Sequence, residues 1–218
     1  MEFLLEFAEP LVYGVQIAAG LYGVYLVIVC LRTTRVKRFR SNQAADEFLD
    51  QVREKLQRKD FDGIAELCDS PPYWSKTTAQ LILVALANRE RGPVKLRQLL
   101  AEKFERDVLA ELRHRHSWVA TVTRAAPLLG LLGTVTSMVL AFARLGAESR
   151  EGMDPAALAS DLSLALRATM LGLWIAVPMT LLGSAILVRI GKLTDSVQEQ
   201  VGEFLYDLEV AMREPGES

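Results

Sequence analysis

The sequence predicts an all-α fold: three membrane-spanning helices with long helical extensions into a charged helical domain. Three observations predict it. The windows Leu11–Leu31 (21 residues), Ala125–Ala143 (19) and Ala168–Val188 (21) carry no charged side chain. About 20 residues, at about 1.5 Å of rise each, cross a hydrocarbon core of about 30 Å, so each window can span. Residues 32–118, by contrast, are dense in charge, and their apolar positions recur at helical rather than alternating spacing. Basic residues, finally, crowd one side of every window: Arg32, Arg35, Lys37, Arg38 and Arg40 after the first, Arg113, Arg115 and Arg124 before the second, Arg189 and Lys192 after the third. A net charge of −2 and a mean hydropathy of +0.18 conceal this segregation.

Residues 1–10 hold Glu2, Glu6 and Glu9 where a secretory signal would carry Lys or Arg, and RTTRVKRFR after Leu31 resembles a stop-transfer signal. The first span, 11–31, is therefore expected to be retained. With the positive side inside, 1–10 lies outside and 32–118 forms an internal helical domain. The second span is 119–143, the external connector 144–160, the third span 161–188, and 189–218 an internal helix and tail. In the internal domain, Ser41 caps a helix whose Phe48, Val52 and Leu56 recur every four residues. FDGIAELCDS is a second helix closed by Pro71 and Pro72, and TTAQLILVALANRER a third ended by Gly92-Pro93. From Val94 the stripe Leu96, Leu99, Leu100, Phe104, Val108, Leu109 and Leu112 meets no breaker before Pro127, which predicts one continuous rod into the second span. Asp154-Pro155 is an N-cap with proline at the first helical position, so the third long helix should begin there and continue through Val197, Val201, Leu205 and Leu208. Cys30 and Cys68 fall in different surroundings, and no disulfide is expected.

Several chemistries find no support. His114 and His116 are two apart, on nearly opposite sides of a helix, and cannot chelate one metal ion. The basic run Arg113 to His116, followed by Trp118, reads as an interfacial anchor rather than a nucleic-acid patch. No phosphate loop and no nucleophile constellation is present, so neither an enzyme nor a cofactor is expected. Trp74 reads as a packing residue, and the acidic run Glu199, Glu203, Asp207 and Glu209 as a solvated face that also suits a docking partner.

The second and third spans share a pattern. At about 100° per residue, Ala126, Gly130, Gly133, Thr134, Ser137 and Ala141 fall within an arc of about 100°. On the third span Ala165, Thr169, Gly172, Ala176, Thr180 and Gly183 fall within an arc of about 80°. Leu128, Leu132 and Val139, and Leu171, Trp174 and Leu181, occupy the other faces. Lipid supplies no hydrophobic drive between spans, so small residues mark close helix contacts. Two readings fit. The small faces are helix contacts whose threonines bond their own backbone, or they converge on a common axis and line a narrow pathway. Three spans cannot enclose a pathway, so the second reading requires an oligomer. The first span, with Gly14, Gly20 and Gly23 scattered and Gln16 its only strongly polar residue, reads as peripheral.

APLLGLLGTVTSMVLAF, followed by DPAALASDLSLALRATMLGLWIAVP, resembles the MotA/TolQ/ExbB proton-channel family in its last two spans, and the three-span layout resembles its TolQ/ExbB branch. The resemblance implies a homopentamer in the bacterial inner membrane, with the N-terminus and connector periplasmic and the C-terminus cytoplasmic. It implies a central pore holding a dimer of single-span MotB/TolR/ExbD-type subunits, and proton flow that drives work at the envelope. By motif position Thr134 and Thr169 match the family's pore threonines, and Pro127 and Pro178 its prolines. Ser137, Thr180 and Asp161 complete the candidate ion pathway; Pro127, Gly130, Gly133, Gly172, Ala176 and Pro178 are the candidate packing and kink positions. One departure stands out: Leu164 occupies the position where this branch carries a glutamate. The essential carboxylate is therefore expected on the partner's span. Asp161 either tunes ion entry at the outer mouth or is a solvated carboxylate in the first turns of its helix, where carboxylates are favoured. A non-conducting pentameric scaffold is the alternative that Leu164 suggests.

Overall fold

The computed structural model describes residues 2–147 and 155–213, with the side chains of 2–10, 144–147, 155, 157, 158, 161, 164 and 213 left aside. Among the described residues all regular structure is helical: α1 (Glu2–Lys37), α2 (Asn42–Gln57), α3 (Phe61–Asp69), α4 (Thr77–Ala87), α5 (Pro93–Phe104), α6 (Ala110–Ala147) and α7 (Pro155–Arg213). Three helices, within Leu11–Lys37, Pro93–Ala143 and Ala165–Met212, are long and apolar enough to cross a membrane. The third belongs to α7, whose described residues start at Pro155; that start lies at the edge of the described residues, and the cap assigned to Asp154 lies outside them. The chain divides into two compact units, one of Met1–Ile28 with Arg115–Ala185, the other of Val29–His114 with Ile186–Ser218.

The first unit is three apolar helical segments, and its contacts fix their directions. From Gly133 to Gly130 to Ala126, α6 meets Ala168, Thr169 and Gly172 in rising order on α7, so the two run antiparallel. Along α1, Gln16 lies by Ala168, Gly20 by Ile175 and Gly23 by Met179, so α1 and α7 run in the same direction. The outer faces are apolar and open, with Leu128, Phe142, Trp174 and Leu181 all more than 60% exposed. Such a surface is stable only against lipid or another protein.

The second unit is built from local signals. The Ser41 hydroxyl accepts from Ala44 N–H at 3.1 Å and starts α2, whose buried Phe48, Leu49, Val52 and Leu56 form one face. Lys59, in the left-handed region at φ 56°, ends that helix, and the Asp60 carboxylate caps α3 by accepting from Gly63 N–H at 2.9 Å. The apolar helix α4 is too short to span and is buried on several sides through Thr78, Leu81, Ile82, Ala85 and Leu86. Gly92, at φ 79°, turns the chain, and Pro93 opens α5 at a position where its missing N–H has no helical partner to lose. Phe39, Phe48 and Tyr73 pack as an aromatic trio with centroids 4.6–6.1 Å apart. Burial pushes the Cys68 thiol up to about 12, with Asp69 adding to it, so this buried cysteine is inert.

Two expectations need correction. The rod from Val94 into the second span is not uniformly α-helical: Glu105–Leu109 forms a π-helical turn between α5 and α6. The buried residues Leu96, Leu100, Phe104, Val108 and Leu112 recur at intervals of four. At about 100° per residue each such step advances the stripe by about 40°, and a wider turn takes up part of that drift. The acidic run on α7 is also not simply solvated. Arg53 donates to Glu203 at 2.6 Å and to Asp207 at 2.8 Å, and the two carboxylates hold its pKa above the ordinary value. The guanidinium is part-exposed, so each pair is worth about 0–1 kcal/mol.

Candidate functional site

The small face expected on α6 is the face that packs. Ala126, Gly130, Gly133, Thr134, Ser137 and Ala141 are all buried. A Cβ on Gly130 would lie 2.8 Å from the Thr169 Cα and 2.9 Å from the Ala168 carbonyl oxygen; one on Gly172 would lie 2.5 Å from the Ala126 carbonyl oxygen. Backbone therefore rests on backbone, which only glycine permits at both positions. The Thr169 hydroxyl crosses this seam and donates to the Gly130 carbonyl at 3.1 Å. Thr134 donates within its own helix to Leu131 at 2.7 Å, and Thr180 to Ala176 at 2.8 Å.

On α7 the buried stripe is offset from the predicted arc. Ala168, Met179 and Ile186 join Ala165, Gly172, Ala176 and Gly183 inside, whereas Thr169 is half-buried and Thr180 exposed. Both threonines thus stand on one edge of the stripe, at about 60° and 80° from Gly172. Pro127 and Pro178 lie inside uninterrupted helices, each removing one i to i−4 hydrogen bond. Asp161 and Leu164 lie on α7, but their side chains are outside the described residues. Among the described residues, no group of three or more His, Cys, Asp or Glu could hold a metal ion.

Sequence reasoning missed Gln16. Its side chain is fully buried, and its amide donates to the Ala126 carbonyl at 3.4 Å and the Ala168 carbonyl at 3.1 Å. Each acceptor lies four residues before a glycine, Gly130 or Gly172. A helical carbonyl is normally flanked by the Cβ of the residue four further on. Here that Cβ is absent, and if present it would lie 3.3 Å (Gly130) or 3.1 Å (Gly172) from the Gln16 nitrogen. The two glycines therefore let α6 touch α7 and also open both carbonyls to α1. This makes α1 a tie between the other two helices rather than a peripheral strut. A lone polar residue in an apolar window was the only signal.

Gln16 Oε1 is buried without a hydrogen-bond partner. Interhelical hydrogen bonds in membranes average about 0.6 kcal/mol, while a buried unpaired acceptor costs about 1–3 kcal/mol. Gln16→Leu should therefore leave the apparent melting temperature nearly unchanged. Gln16→Glu, which turns a carboxyl toward two carbonyls, should lower stability by about 2 kcal/mol. Thermal scans of both variants in detergent check the order, and a Leu variant less stable than the Glu variant contradicts it.

Three apolar helices joined at a glycine-lined, hydroxyl-bearing seam define a multi-pass membrane protein. Residues 74–199, more than half of the chain, match the model of the MotA/TolQ/ExbB proton channel family, and the chain belongs to that family. It is 37% identical to the biopolymer transport protein ExbB of Aquifex aeolicus over 101 residues, covering 45% of this chain and 67% of that one. It is 26% identical to an ExbB-like protein of Synechocystis over 196 residues, 87% of this chain and 89% of the relative. Against ExbB-like proteins of Helicobacter pylori, identity is 46% over 67 residues, which is 31% of this chain and 43% of theirs. The chain thus spans less than half the length of these last relatives.

Proposed function

We propose that the chain is the ion-conducting subunit of an inner-membrane motor that couples the proton gradient to work at the cell envelope. Family membership supports a proton-channel type of subunit. The observation that carries the finer reading is the edge of α7, where Thr169 and Thr180 stand beside the α6–α7 seam, the first half-buried and the second exposed. Repeated around an axis in a homopentamer, that edge supplies hydroxyls to a pathway that the apolar outer faces cannot. The described side chains of the charge-free parts of α6 and α7 include no carboxylate. A proton relay through the membrane needs titratable groups, so the essential carboxylate belongs to a single-span ExbD/TolR-type partner threaded through the centre. The N-terminus is periplasmic and the C-terminus cytoplasmic by the distribution of Arg and Lys.

Vesicles holding this chain with a neighbouring, Asp-bearing single-span subunit test the proposal. An imposed pH gradient should collapse faster than in vesicles holding either protein alone. A complex that assembles but passes neither protons nor sodium favours the non-conducting scaffold, the reading suggested by Leu164.

A further inference from the structure

A cavity of about 400 Å³ in the second unit is walled by five cations, Arg35 near the end of α1, Arg38 and Arg40 just beyond it, and Arg189 and Lys192 from α7. Thr34 and Phe39 complete the wall, and no acidic residue lines it. None of the five cations makes an ion pair among the described residues; the nearby Lys37 does, with Glu111 at 3.8 Å. Five like charges around one space repel one another unless an anion occupies it. The volume lies within the range of about 300–1,000 Å³ usual for small-ligand pockets.

The cavity is also held in shape. Phe39 is buried in the aromatic trio, and the Lys76 ammonium donates to the Val36 and Arg38 carbonyls at 3.1 and 3.0 Å, capping the end of α1. The Thr34 hydroxyl is already committed to the Cys30 carbonyl at 2.8 Å, leaving the four guanidinium groups and the Lys192 ammonium as the donors. Four of the five cations are arginines, whose planar forks match phosphate oxygens in pairs.

Position identifies the source of the phosphate. The charge-free windows end at Leu31 and Val188, so Arg35 and Lys192 each lie four residues beyond an apolar edge. At about 1.5 Å per residue that is about 6 Å, within the headgroup layer of about 5–8 Å on each side of the hydrocarbon. We propose that this cavity is a binding site for the phosphodiester headgroup of an anionic phospholipid, one per protomer.

Native mass spectrometry of the full chain in neutral detergent tests it, with dioleoyl phosphatidylglycerol, dioleoyl phosphatidylcholine and soluble glycerol phosphate as probes. Phosphatidylglycerol should bind one per protomer and about tenfold more tightly than phosphatidylcholine, since juxtamembrane cations act on net headgroup charge. Arg38→Gln with Arg189→Gln should remove that preference, while Lys95→Gln with Arg97→Gln, exposed cations outside the cavity, should retain it. Equal binding of the two lipids by the native chain, or an unchanged preference in the cavity variant, overturns the proposal. Glycerol phosphate binding as tightly as the lipid overturns the lipid assignment in favour of a soluble anion. Should the first pair disturb folding, Arg40→Gln with Lys192→Gln, both at exposed positions, is judged by the same criteria.

Discussion

Gly172→Ala is expected to destabilise the chain, although alanine is the better helix former. In a helix interior the replacement of glycine by alanine favours the helix by about 1 kcal/mol. At Gly172 the new methyl would sit 2.5 Å from the Ala126 carbonyl oxygen and 3.2 Å from its carbon, atoms of a helix backbone that cannot rotate away. Overpacking costs about 1–3 kcal/mol even where flexible side chains yield, so the clash wins and α6 and α7 must separate. Gly130→Ala meets the Thr169 Cα and the Ala168 carbonyl oxygen and should behave alike. A loss of about 2 kcal/mol corresponds to a fall in apparent melting temperature of about 4–8 °C for a chain of this size. Gly191 and Gly202, also in α7, have no atom within 4 Å of an added Cβ. Alanine there should raise stability by up to about 1 kcal/mol. All four variants shifting in the same direction would show that helix propensity, not the close approach, governs these glycines.

The second large effect is on function. Thr169→Val keeps the shape of the side chain but removes the donor that crosses to Gly130, at a stability cost of about 1 kcal/mol. Thr134→Val removes a bond made within α6 and should cost less. Valine at both positions is therefore expected to leave a folded, assembled protein. If these hydroxyls belong to the ion pathway, the double variant should lose nearly all envelope work and proton flux when expressed with its partner. Assembly with undiminished function would refute conduction through these two hydroxyls. Asp161→Asn is the milder companion, expected to weaken function without abolishing it.

Local signals in the sequence carried much of the fold. Ser41 as a cap and the charge-free windows depend on neighbours in the chain, and Ser41 caps α2 and each window lies within a long helix as expected. The small arc of α6 was legible because close backbone contact needs small residues on one face. The stripe on α7 was legible only in part. Met179 and Ile186 are buried there without being small, so residue size located the seam but set its centre about 40° off. Gln16 acts on carbonyls 110 and 152 residues away, and Arg53 on carboxylates 150 and 154 residues away. No period within a window encodes such pairings. The π turn did leave a trace, in the unbroken spacing of four from Leu96 to Leu112, a spacing that a straight helix cannot keep on one side.

The most direct measurement is a cryo-electron microscopy map of the chain assembled in a lipid nanodisc at side-chain resolution. The account predicts several copies about one axis, Gln16 lodged between the turns that begin at Ala126 and Ala168, and Thr169 bonded to the Gly130 carbonyl. It further predicts Leu128, Trp174 and Leu181 against lipid or a neighbouring copy, with the Thr169 and Thr180 edge toward the axis. A map in which that edge faces the bilayer, or in which each copy stands alone, contradicts it.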